Sequence, residues 1–107
     1  MKAVLLHKSK TTMTVASGRT IAIYVDTFHL QGAKDPSSWK AYRFSWVAFA
    51  PDEPGARVLF DCHEPKGPHW HIDGDEVGQA FAWTGLEEAE ELFFQKVEER
   101  FGRTIKE

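Results

Sequence analysis

Cys62 is the only cysteine, so the chain cannot form an intramolecular disulfide, and a reducing, cytoplasmic setting is expected. Long apolar runs are also missing. A bilayer span needs about 20 consecutive apolar residues, and the opening MKAVLLHKSK returns to charge too soon for a signal-peptide core. Neither a targeting segment nor a membrane contact is expected. Basic residues are not in excess: 13 Lys and Arg stand against 16 Asp and Glu, for a net charge of −3. There is thus no global attraction toward phosphate backbones. Much of the acid lies in Glu87, Glu88, Glu90 and Glu91, so a local contact with RNA stays open. The P-loop, the glycine-rich dinucleotide fingerprint and a Ser-His-Asp pattern are absent, as are repeats and low-complexity stretches.

Aromatic side chains are plentiful, four Trp and eight Phe within 42% apolar residues, enough for one core in a single domain spanning residues 1–107. Residues 2–13 and 20–28 flank Ala16-Ser17-Gly18-Arg19 and read as a hairpin, with Ile21, Ile23 and Val25 on one face. In residues 40–50, Tyr42, Phe44, Trp46 and Ala48 oppose Arg43, Ser45, Val47 and Phe49, a two-sided apolar pattern that suits an interior strand. Past the turn signal PDEPG, residues 57–63 set Val58, Phe60 and Cys62 against Leu59, Asp61 and His63. A short fifth strand is expected at residues 69–73. Thr84 and Glu87 have capping-box spacing, Leu86, Ala89, Phe93, Val97 and Phe101 form a helical stripe, and Gly102 supplies a stop. The expected fold is α+β: an antiparallel sheet of four to five strands in ββββ(β)α order, with one C-terminal helix packed on a sheet face.

Chemistry concentrates in residues 61–75, DCHEPKGPHWHIDGD. In an extended His69-Trp70-His71 the two imidazoles share one side and Trp70 takes the other. Two such groups can serve as proton donor and acceptor, or as metal ligands. The prolines and Gly67 turn the chain so that His63 returns toward them. Asp61, Asp73 and Asp75 are candidates to orient the rings, and Lys66 and Arg43 to hold an anion such as phosphate. The plainest reading of HWH is a hydrogen-bonded surface strand, against which the third histidine weighs. The spacing matches no strong zinc pattern, so acid–base chemistry without a metal or other cofactor is the leading expectation. Cys62, on the apolar face of its strand, is expected to be an inert hydrophobe. His7 and His29 have no evident partners.

YRFSWVAF, RVLFDCHEPKG, PHWHIDG and the helix LEEAEELFFQKVEERF together resemble a TumE-type toxin of bacterial toxin–antitoxin systems over most of the chain. The most specific element is Lys66-Gly67-x-His69-x-His71. The resemblance implies a small intracellular toxin of a type II system, neutralised by a co-encoded antitoxin of DNA-binding type. It maps the family's histidine pair onto His69 and His71 and its lysine onto Lys66. Members often carry an asparagine after the strand aspartate, where this chain has Cys62. Toxins of this size frequently attack RNA, an analogy rather than a property of these residues. The expected activity is a metal-independent endoribonuclease in which His69, His71 and His63 exchange protons, Lys66 steadies the phosphate and Asp61 supports the rings. The expected partners are the cognate antitoxin and RNA, with self-association left open. The alternative is a non-catalytic metal-binding or protein-interaction domain.

Overall fold

The computed structural model describes residues 2–105. Among these, six strands form one antiparallel sheet in sequence order: Ala3–Thr14 (β1), Thr20–Leu30 (β2), Tyr42–Ala50 (β3), Glu53–His63 (β4), Gly67–Ile72 (β5) and Gln79–Ala80 (β6). A single helix, Leu86–Phe101 (α1), packs on one face. The α+β class and strand order are as expected, with one strand more. β6 is only two residues long, too short for alternation to show in sequence. No described helix is long and apolar enough to cross a membrane.

β2 runs on to Leu30 and β5 spans Gly67–Ile72 rather than 69–73, and three further boundaries differ from expectation for physical reasons. Residues 39–41 form a 3-10 turn, held by the Ser38 hydroxyl accepting from Lys40 N, so β3 starts at Tyr42. β4 begins at Glu53 inside the PDEPG signal, and the pairing Ala50↔Glu53 confines the reversal to Pro51 and Asp52. At the helix, Gly85 rather than Thr84 is the N-cap, and no side chain bonds the cap. The first helical bond there runs from Ala89 N to Gly85 O. Gly85 has φ +140, a conformation that disfavours L side chains, and this moves the start one residue past the Thr84–Glu87 spacing. Gly102 ends the helix as expected.

Strand alternation decides the core. Ile21, Ile23, Phe44, Trp46, Val58, Phe60 and Cys62 are all buried under α1, which contributes Ala89, Phe93, Val97 and Phe101. Phe93 meets both Trp46 and Phe60 edge-on, at centroid distances of 5.8 and 5.3 Å. The Trp46 indole NH donates to the Thr27 hydroxyl at 2.8 Å, so this buried polar group is satisfied. With the core faces of β3 and β4 committed to the helix, Asp61 and His63 must project from the opposite, outer face.

A candidate metal centre on the outer sheet face

Register brings the side chains together. β4 and β5 pair Asp61 with His69, Leu59 with His71 and His63 with Gly67. Trp70, of opposite parity, stacks on Phe60 and Phe81 on the helix side. His63, His69 and His71 form a row, with ring centroids 5.6 Å apart between the first two and 5.0 Å between the last two. One donor atom each from Asp61, His69 and His71 lies within 4.8 Å of the others.

The backbone fixes which ring nitrogen is available. His69 Nδ1 lies 2.8 Å from Gly67 O, His71 Nδ1 2.7 Å from Asp75 O and His63 Nδ1 3.1 Å from Glu64 O. A carbonyl oxygen only accepts, so each Nδ1 must carry the proton and donate it. The lone pair then sits on Nε2. This is the arrangement by which a carbonyl behind a histidine orients it as a metal ligand. His69 is only 5% exposed, yet no buried side-chain nitrogen or oxygen among the described residues lacks a partner. Its Nε2, which makes no hydrogen bond, therefore keeps contact with solvent.

The loop after β5 clamps the second histidine. Asp75 offers its carbonyl to His71 and its carboxylate to Val77 N at 3.1 Å, and Gly78 closes against the ring. A Cβ on Gly78 would stand 2.7 Å from His71 Cε1, and its φ of +74 also favours glycine.

The expected site residues divide. Asp61, His69 and His71 converge, and His63 stands next to them, exposed and outside the donor group. Lys66 lies in the exposed turn before β5 and makes no hydrogen bond or ion pair among the described residues. Gly67, the other half of that motif, serves packing: its φ is +74, and a Cβ there would meet Trp39 Cε2 and Cζ2 at 3.2 Å. Asp73 is drawn away from the rings, since its carboxylate accepts from Arg57 N and from Arg100 Nε, each at 3.0 Å. Burial alone would raise the Asp73 pKa, but these donors outweigh it and hold the carboxyl below its usual value.

Cys62 faces the core, and burial, aided by Asp61, pushes its thiol up to about 12. A thiolate ligand or nucleophile from this position is thus excluded from the outer face. His29 meets Tyr42 edge-on at 5.3 Å. The carbonyls of Gly67 and Asp75, and Gly78, were not foreseen, because backbone acceptors and close approaches leave no residue-type signature. A signal lay only in the glycine that follows DGDEV. No family model, curated protein or solved structure matches the chain.

The donor set suits a first-row divalent ion. Imidazole favours zinc, nickel, iron or copper, and one carboxylate with two imidazoles is a recurrent catalytic set. Metal bonds of about 2.0–2.2 Å place tetrahedral donors about 3.4 Å apart, so modest side-chain rotation closes the group on an ion.

Proposed function

We propose that the domain cleaves phosphodiesters at a divalent transition-metal centre held by Asp61, His69 and His71, as the active half of a toxin–antitoxin pair. The observation that carries this reading is the convergence of three donors within 4.8 Å, with both histidines oriented by carbonyls behind them. Asp61, His69 and His71 would hold the ion, which would supply Lewis acidity to the phosphodiester. The chain's own part is to orient and to move a proton. His63 Nε2, next in the row, accepts the proton of the attacking hydroxyl as its oxygen bonds to phosphorus and the opposite ester oxygen departs. The resemblance to TumE-type toxins implies a DNA-binding antitoxin as partner, and RNA as the substrate rests on analogy with toxins of this size.

Metal is preferred over proton exchange alone because His69 is buried: a small ion reaches its Nε2 more readily than a phosphate carried on a polymer. The metal-independent endoribonuclease remains the second reading, favoured by three adjacent rings with free Nε2 atoms. Protein purified without a histidine tag should cleave a single-stranded RNA oligonucleotide with Zn2+ or Mn2+, and lose that activity on chelation and in Asp61→Asn. Cleavage indifferent to chelator would overturn the metal reading in favour of the second. A folded, metal-supplied protein that cleaves nothing would overturn both.

A further inference from the structure

Beside His63, at the end of β3 and β4, a cleft of about 350 Å³ is lined by Leu30, Trp39, Lys40, Tyr42, Arg43 and His63, together with Glu64. That volume is in the range of small-ligand sites, about 300–1,000 Å³. The Trp39 indole is held by its packing on Gly67, and the Lys40 ammonium stands 5.8 Å from the ring centroid. Arg43 projects from the outer face, its guanidinium 5.4 Å from the Phe28 ring. Neither Lys40 nor Arg43 makes an ion pair among the described residues. Two cations without a carboxylate partner among the described residues and a fixed aromatic wall thus share one cleft in a protein of net charge −3. The cleft opens beside the histidine that continues into the donor group.

We infer that this cleft is the subsite for one nucleotide of a single-stranded nucleic acid, its base against Trp39 and its phosphate between Arg43 and Lys40, feeding the next phosphodiester to the Asp61–His69–His71 centre. Aromatic faces hold bases without regard to sequence, and a guanidinium meets phosphate oxygens in a two-pronged geometry that a point charge cannot reproduce. A base on the indole displaces the Lys40 ammonium from above the ring and frees it for the phosphate. Glu64, also in the lining, repels a second phosphate and so helps to set the register of the strand. The inference rests on the phosphodiester reading for its chemistry, but not for its binding.

Binding is measured by fluorescence anisotropy of a labelled, uncleavable 2′-O-methyl oligonucleotide on metal-free protein at low salt. Arg43→Ala with Lys40→Ala should weaken affinity tenfold or more. Trp39→Ala should do the same and Trp39→Phe should restore most of it, an outcome that loss of charge alone does not give. Zn2+ binding by the Arg43→Ala, Lys40→Ala variant should match wild type. Conversely, in an Asp61→Asn background that no longer binds metal, the Arg43, Lys40 and Trp39 substitutions should still weaken oligonucleotide affinity tenfold or more, which separates failure of the subsite from failure of the centre. Unchanged oligonucleotide affinity in the cation and Trp39 variants would overturn the inference. So would inorganic phosphate competing as well as a nucleoside monophosphate, since the cleft would then hold an anion only.

Discussion

Environment, more than residue type, sets the chemistry of the side chains in residues 61–75. Cys62 and Asp61 are neighbours, yet one faces the core and the other the open sheet surface. The folded protein holds the Cys62 proton up to about 12, whereas an unfolded chain releases a thiol proton near about pH 8.5. Its stabilising effect is therefore complete below about pH 8.5 and is lost as pH rises toward the folded value. Native protein should resist thiol-specific reagents at pH 8 and react on denaturation, and Cys62→Ala should flatten the alkaline part of the stability profile. Rapid labelling of folded protein would contradict the burial. Gly78 makes a second test: Gly78→Ala should push the His71 ring aside and reduce metal affinity by tenfold or more while the core signal in near-UV circular dichroism is kept. Equal metal affinity would show that the glycine is only a turn residue.

Elements place these residues, and here the physics shows what a sequence can disclose. Alternation in β3 and β4 was legible because every second residue is large and apolar: Phe44 and Trp46 in one, Val58 and Phe60 in the other. That parity set Asp61 with His63, and parity in the next strand set His69 with His71, but the register that joins Asp61 to His69 was not legible. The helix stripe was legible for the same reason, and Phe93→Ala should cost about 3–5 kcal/mol in urea unfolding, as a buried aromatic does. Tertiary contacts were not legible. Thr84 has capping-box spacing, but Trp83 is tied by its indole NH to Ser37 O and the following Gly85 caps the helix. Asp73, grouped in sequence with the histidines, instead fastens the helix end through Arg100. Its depressed pKa makes that contribution present above the unfolded carboxyl value, about 3.9, and lost as pH falls through the lower folded value. Asp73→Asn, which tolerates the φ of +55, should cost about 1 kcal/mol at neutral pH and almost nothing in strong acid. A constant difference across pH would argue that the charge is irrelevant.

Across the whole molecule the sheet separates two surfaces. The glutamates of α1 lie on the helix side, and the histidine row, Arg43 and the Trp39 cleft lie at the other face or its edge. A net acidic chain can therefore present a local patch whose cations have no carboxylate partner among the described residues, and total charge is a poor guide to what that patch binds. Because the three donors come from β4 and β5, an ion held there would tie together two adjacent strands of the sheet. A ligand that binds only the folded state at 100 times its Kd adds about 2.7 kcal/mol. The melting temperature should rise with Zn2+ in wild type and stay fixed in the donor variants. The central claim is tested most directly by isothermal titration of untagged protein with Zn2+, with Co2+ absorption as a second readout. One equivalent should bind wild type, and affinity should fall tenfold or more in Asp61→Asn and His71→Ala, both shown to be folded. Absence of stoichiometric binding to wild type, or equal affinity in the variants, would contradict a metal centre at Asp61, His69 and His71.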